Sequence, residues 1–589
     1  MAQASRRDVT APGELAAGLH GFAAISCDVF DTAVVRRLAR PEDVHLATGL
    51  RLAAAGLTTL PADAFREYRI AAEAVVRRVA AERGEDEPRI AEVYDYLASC
   101  SVVIDPAAAA RVELAAEIAA CVAVEDVRAA LAGRSVLFVS DSILPGSWIA
   151  ELLVACGYPA DVAVISSADF GASKHSGRLF GHAVRRLGRP AREIVHVGDN
   201  PFADGQRARE AGLATVALPP PRRPPEQAEI AALHPVVRLL HSHRRSALAR
   251  PAGTPGGYEW LHRHVTALSI AWSLDVLETA RRRGIGRIYF LARDGWLPMQ
   301  IVQRLAARRG EAFEMTYLEV SRAAVVVPQQ RGDAGAAREY LAQTGFSVPG
   351  PRVVVDVGWL GSTQTALAAV AGLADDEVFG CYLGLRAEAL RPGLTPQTAQ
   401  GLLFGFGHPR GHLETVMEGY ALLELLFSAP HGSVRGYRRG DDGGVVSVHA
   451  EEPAPDGAIR SAVMQAVANG VLAEFDAIDG LIGGAWQAID ATSALHDLVG
   501  LLTRPTRAEV DRINRIRFIN APSAAAIVPP INPMGLRGMV LRPREALRRA
   551  ANSPWRSGWI RLHTPWPLPA LSFATLKDRA RRLGLTPAP

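Results

Sequence analysis

At 589 residues, with 49% hydrophobic and 21% charged side chains, the chain is long enough for several domains, each with its own core. A mean hydropathy of +0.08, with no apolar run near the ~18 residues of a membrane span, excludes an integral helical membrane protein. Five scattered cysteines without a C-x-x-C pair exclude a disulfide framework or a zinc cluster and point to a reducing, cytoplasmic setting.

Residues 22–218 alternate short apolar runs with helical patterns, which predicts an α/β domain. Strands are expected at Ala23–Cys27, Ser135–Val139, Ala163–Ile165, Ile194–Val197 and Ala214–Ala217. Between the first two, helical segments including Phe65–Arg83 and Pro88–Leu97 read as a cap over about residues 36–130. Proline runs at Pro219–Pro221 and Pro224–Pro225, and a second Pro/Gly cluster from Pro251 to Gly257, mark 219–257 as an extended linker. A second α/β domain, 258–440, opens with a helix over Trp260–Arg281. It continues with strands at Arg287–Leu291, Glu314–Glu319, Arg352–Val357 and Val378–Leu385.

Residues 441–589 form a helical, basic extension, part of the second domain or packed on it. Its last 89 residues carry 16 basic against 4 acidic side chains, so a local +12 is masked by −8 over the first 500 within the net +4. With Trp555, Trp559 and Trp566, this tail is either a solvated helix with packing tryptophans or a peripheral contact with an anionic membrane face. The N-terminus has no continuous apolar segment, so no signal peptide is expected.

Polar residues cluster just beyond the predicted strands, where open parallel sheets place their ligands. Asp28 and Thr32 follow the first strand, Ser140 the second, and Asp199 and Asp204 the fourth; Lys174 lies in a loop. Of 65 basic residues only Lys174 and Lys577 are lysines, so a lysine here is pointed. Lys offers a compact charge that sits against one carboxylate and one phosphate oxygen. Phosphoryl transfer to a carboxylate needs a nucleophile, hydroxyl and cationic groups for the phosphate, and a cation on its oxygens. Asp28 suits the nucleophile, Thr32 and Ser140 the hydroxyls, Lys174 the cation, and Asp199 and Asp204 the Mg2+ site.

In this order the motifs resemble the haloacid-dehalogenase (HAD) superfamily over residues 20–218. The resemblance implies a Rossmann-like phosphatase domain with a helical cap closing on a small substrate. It also implies Mg2+ held by Asp28, the Phe30 carbonyl, Asp199 and Asp204. One position departs: where family phosphatases carry a second Asp as general acid/base, this chain has Phe30, and Asp31 comes one residue later.

In the second domain, Arg293-Asp294-Gly295 follows a strand, and Asp356-Val-Gly358-Trp-Leu-Gly361-Ser362-Thr363-Gln364 joins a strand to a helix. A glycine-containing loop before a helix N-terminus lets backbone N–H groups approach an anion. Arg293 and Arg322 suit a diphosphate, Asp294 and Asp356 a Mg2+ ion or a ribose diol, and Glu424 or a neighbouring acid a general base. His431 lies nearby in sequence and joins the substrate-binding candidates.

This half is similar to phosphoribosyltransferases, with one acid before the loop where they commonly have two. Together the halves resemble dual-domain bacterial ribofuranosyltransferases of surface-polysaccharide synthesis. The resemblance implies phosphoribosyl pyrophosphate as donor, a lipid-linked glycan as acceptor, and removal of the 5-phosphate by the HAD domain. Two alternatives stay open: a sugar-phosphate phosphatase with a non-catalytic C-terminal binding domain, and a scaffold with decayed sites. No feature points to nucleic acid.

Overall fold

The structure is a computed structural model that describes residues 6–8, 14–220, 227–246, 257–452, 454–516, 531, 534–535 and 541–563. It divides into two compact units, 1–251 with 477–486 and 252–476 with 487–589.

The first unit is built on a six-stranded parallel sheet. Its order is Arg6–Asp8, Ala214–Ala217, Ile194–Gly198, Ala24–Cys27, Val136–Ser140 and Ala163–Ser166. The central strands are continuous apolar runs, as expected for strands covered on both faces. Cys27 is level with Val197 on one side and Phe138 on the other. Asp28 therefore leaves the sheet flanked by the ends of the strands that carry Asp199 and Ser140.

The cap enters and leaves the sheet domain through a short antiparallel ribbon, Val34–Arg36 against Cys121–Ala123. Between them run helices Val44–Ala54, Ala62–Glu82, Ile90–Ser99 and Pro106–Ala120. The last begins where Asp105 accepts the Ala108 N–H and Pro106 supplies a helix-ready φ at the first turn. Three of the helices are tied by a buried ion pair: Arg69 donates to both oxygens of Glu113 (2.8 and 2.7 Å), and Tyr94 adds its hydroxyl at 2.6 Å.

The linker expected at 219–257 is folded through part of its length. Pro235–Arg244 is a helix with Val236, Val237, Leu239 and Leu240 buried, and Ser242 donates to Asp43. Its Pro-rich flanks obscured a short amphipathic segment whose apolar face has a core to join.

The second unit holds a five-stranded parallel sheet in the order Glu314–Leu318, Arg287–Leu291, Arg352–Trp359, Val378–Leu385 and Ala399–Gly401. The strand order reverses between Arg287–Leu291 and Arg352–Trp359, and such a switch opens a crevice at the strands' carboxyl ends. An arginine-rich hairpin, Val434–Arg439 with Val445–His449, borders that region.

The stretch 441–589 falls in this unit except for 477–486, which groups with the first. Helix Ala491–Thr503 packs on helix His262–Arg282 within this unit, where His264 Nδ1 meets the Asp497 carbonyl at 2.9 Å. Trp555 and Trp559 are core residues: Trp555 is fully buried, and its indole N–H donates to the Leu502 carbonyl. These two rings pack rather than anchor to a membrane; Trp566 lies outside the described residues. Among the described residues no helix is long and apolar enough to cross a membrane, and all five cysteines are free thiols.

Candidate functional site

At the carboxyl end of the first sheet, Lys174 Nζ donates to Asp28 Oδ1 and, at 2.6 Å, to Asp204 Oδ1. All three side chains are buried. His196, fully buried on the strand ending at Gly198, extends the chain inward. Its Nε2–H donates to Asp204 Oδ1 (3.1 Å), the tautomer a carboxylate acceptor requires, so its Nδ1 accepts from Ser26. Burial lowers His196 below its ordinary value and keeps it neutral. Asp204 also accepts the Asn200 N–H at 3.1 Å. Despite burial, the ammonium and the imidazole N–H hold its carboxyl well below the usual range.

This geometry explains Gly198. A Cβ there would stand 2.4 Å from Asp204 Cγ, inside any real carbon contact, so only glycine lets the Asp204 side chain cross beneath the strand end.

Asp28, Asp199 and Asp204 bring ligand oxygens within 4.8 Å of one another. Burial and the Asp204 carboxylate, opposed by Lys174, push Asp28 up to about 7. Burial, with Asp204 and Asp31 nearby, pushes Asp199 up to about 6. Lys174 already occupies Asp204 and one oxygen of Asp28, so the uncompensated charge lies on the Asp28–Asp199 side. A divalent ion such as Mg2+ fits there.

The other predicted residues take varied places. Ser140 closes its strand fully buried, as the sequence placed it. Thr32, expected to face phosphate, is fully buried with its hydroxyl 3.5 Å from Asp199 Oδ1. The Phe30 ring lies under the Arg36 guanidinium at 4.4 Å. Asp31 adopts φ +64°, a left-handed turn that Asp tolerates better than most residues, and sits close enough to raise Asp199. Besides His196 and Ser26, two more residues that carry the site had no assigned part in the sequence reading. Asp141 accepts the N–H groups of Lys174 (2.6 Å) and His175 (3.1 Å), and Asp86 reaches the same loop from the cap. Asp141 could have been found from its position directly after Ser140.

In the second unit a cavity of about 440 Å³ opens at the switch point, lined by Arg293, Asp294, Arg322, Asp356, Ser362 and Glu424, among others. Asp294 and Asp356 line this cavity close enough together that the charge of one raises the other. Burial pushes Asp294 up to about 6, offset by Arg293, and pushes Asp356 well above the ordinary carboxylate range, reinforced by Asp294 and Glu424. Glu424 rises to about 7 through burial and Asp294, opposed by the hydrogen bond from Trp359 Nε1 (2.8 Å) and by Arg293.

Trp359 holds that bond from a left-handed backbone, φ +71°, with its ring stacked on Phe404 at 5.8 Å and 7°. Arg293 has no side-chain hydrogen bond or ion pair to another described residue, and burial lowers its pKa. A partly buried, unpaired guanidinium beside a helix N-terminus at Ser362–Thr363 suits an anionic ligand.

Three predicted binding residues do other work. Gln364 is fully engaged in the core: its amide donates to the Val378 and Thr398 carbonyls (2.8 and 3.0 Å), and its oxygen accepts from Tyr382 (2.8 Å). It stands two residues into the helix, on the face turned to the sheet. His431 accepts from the Tyr317 hydroxyl (2.7 Å) and donates to the Gly432 carbonyl (2.9 Å), outside the cavity wall. Gly295 lets helix Trp296–Arg309 start against the strand, since a Cβ would meet Leu291 N at 2.8 Å. Gly358 lines the cavity with φ +102°, and Gly361 caps the helix with φ +59° behind it.

Compared with known families and with curated proteins, the sequence matches none. Solved structures with a related backbone include a dehalogenase and a dehalogenase with an intermediate complex. Each is 18% identical at a TM-score of 0.24, covering 36% of this chain and 91% and 90% of theirs. A likeness this low decides neither fold nor chemistry, which rest on the residues above.

Proposed function

We propose that the chain is a two-site enzyme of HAD-phosphatase and phosphoribosyltransferase type that installs ribofuranose on a glycan. The second unit transfers ribose 5-phosphate from phosphoribosyl pyrophosphate to a glycan hydroxyl, and the first removes the 5-phosphate. The reading rests on one observation above all. Lys174 bridges Asp28 and Asp204 beside Asp199, in a chain whose other unit opens a cavity combining unpaired Arg293 with three carboxyls of raised pKa.

In the second unit Arg293 and Arg322 hold the pyrophosphate as the bond from C1 to its oxygen breaks. The acceptor oxygen bonds to C1 from the opposite face, and its proton passes to Glu424. Asp294 and Asp356 face the ribose diol, the one that carries a proton donating and the other accepting.

In the first unit an Asp28 oxygen bonds to phosphorus while the bond to the sugar oxygen breaks. The leaving oxygen takes a proton, for which Asp31 is the carboxyl at hand, and water then hydrolyses the aspartyl-phosphate. Mg2+ held by Asp28 and Asp199 would neutralise the phosphate oxygens. Lys174 orients Asp28 and opposes the effect of burial on its charge, and His196 with Ser26 steadies Asp204.

The test is incubation with Mg2+, phosphoribosyl pyrophosphate and a panel of lipid-linked glycans, read by mass spectrometry. Asp28→Asn is expected to accumulate a pentose-phosphate adduct, and Asp356→Ala to form no adduct while still cleaving small phosphate esters. An unphosphorylated pentose from Asp28→Asn, or normal transfer by Asp356→Ala, refutes the corresponding site.

A further inference from the structure

The loop bearing Lys174 is gripped from two sides. From the sheet, Asp141 takes the N–H groups of Lys174 and His175. From the cap comes Asp86, in the turn between helices Ala62–Glu82 and Ile90–Ser99. Its Oδ2 accepts from Ser173 N–H (2.8 Å), Ser173 Oγ (3.2 Å), Ser176 Oγ (2.5 Å) and Arg178 Nε (3.1 Å). Its Oδ1 pairs with Arg178 Nη2 (2.5 Å), and its own N–H donates to the Gly171 carbonyl (3.1 Å). Arg178 closes the knot on the Gly84 and Gly171 carbonyls (3.3 and 3.1 Å). These bonds outweigh the cost of partial burial and hold Asp86 down at about 2.

We propose that Asp86 is a positioning residue for Lys174: the cap turn fixes the loop so that the ammonium reaches both Asp28 and Asp204. Ser173, which it grips through both the backbone N–H and the hydroxyl, directly precedes Lys174. The ammonium has little slack, since it is buried and bonded at both ends. Releasing Ser173 lets the loop shift, and a shift of about 1 Å at a catalytic group costs about a hundredfold in rate. Cap placement and a competent ammonium are then one state. The kinetic part rests on the phosphatase reading; the positional part does not.

The chain's two lysines give a readout independent of turnover. Acetylation by an N-hydroxysuccinimide ester, followed by peptide mass spectrometry, reports on Lys174 alone. Wild type is expected to be nearly inert at Lys174, and Asp86→Ala to label at least about tenfold faster, because about 1.4 kcal/mol of lost protection is a factor of ten. Asp86→Asn, which keeps an acceptor but loses the charge toward Arg178, should fall between them and keeps the test alive if the alanine variant fails to fold.

Arg111→Ala serves as control, since it breaks a different link between cap and sheet domain, the exposed pair with Glu151 (3.0 Å), and should leave Lys174 inert. On p-nitrophenyl phosphate, Asp86→Ala should lose kcat about a hundredfold with KM held within about twofold. Unchanged Lys174 labelling in both Asp86 variants, or equal labelling in Arg111→Ala, overturns the proposal. Faster labelling with undiminished kcat overturns its catalytic half. A wild type with no phosphatase turnover overturns the phosphatase reading, while the labelling still decides the role of Asp86.

Discussion

Trp359→Phe tests the electrostatics of the second cavity. The indole N–H can only donate, so its 2.8 Å bond to Glu424 favours the carboxylate over the neutral acid. A hydrogen bond to a buried charge is worth about 1.5–3 kcal/mol, or about one to two pH units at 1.36 kcal/mol each. Some of this is recovered by solvent entering the space left by the indole, so a rise of about one unit is expected. The sign follows from the role proposed for Glu424. A base must be ionised to accept the acceptor's proton, so the rate climbs with pH through the value near 7 set by burial and Asp294.

Moving that limb from about 7 to about 8 cuts the ionised fraction at pH 7 from about a half to about a tenth, a fivefold loss that vanishes by about pH 9. The assay is the pH dependence of pyrophosphate release under transfer conditions. It is paired with 19F NMR of the wild-type chain carrying fluorotryptophan at its nine tryptophans. One resonance, absent in Trp359→Phe, should titrate near pH 7 and stop titrating in Glu424→Gln. A pH-independent loss of rate in Trp359→Phe, or a Trp359 resonance blind to Glu424, refutes the reasoning.

Gly198→Ala should cost the proposed phosphatase activity at least about a hundredfold in kcat with the far-UV spectrum unchanged. The added carbon must drive Asp204 off Lys174 and His196, and an intact rate would mean Asp204 has no part in the chemistry. Gln364→Leu should lower stability by about 3 kcal/mol or more, because two carbonyls and the Tyr382 hydroxyl lose a partner in the core, and leave KM for phosphoribosyl pyrophosphate unchanged. Thermal melts with saturation kinetics decide it; a raised KM without a lower Tm would return Gln364 to the binding site.

The strand ends were legible because parallel strands covered on both faces read as apolar runs, with Ser140 closing its strand and Asp28 and Asp199 directly after theirs. Lys174 was legible through composition alone, as a lysine in a chain that otherwise uses arginine. Gln364 misled because a glycine loop before a helix looks the same whether the next polar side chain faces ligand or sheet; its orientation is set by helical phase. Asp86 was invisible because its partners lie nearly ninety residues away, in a turn whose charges read as ordinary solvated surface. The helix Pro235–Arg244 was hidden by its proline flanks, and strand Ala399–Gly401 is too short to give a periodic signal.

The ribbon that bears the cap has an evolutionary consequence. Arg36 and Cys121 are paired across it, so the chain departs and returns at neighbouring points. Antiparallel partners lie about 5 Å apart, a gap that a two-residue turn can span. Asp28, Ser140, Lys174, Asp199 and Asp204 all lie outside the inserted stretch. The cap and the residues proposed for the phosphatase chemistry are thus written in separable lengths of gene, and one can be exchanged while the other is kept whole, provided the incoming segment brings its own counterpart of Asp86.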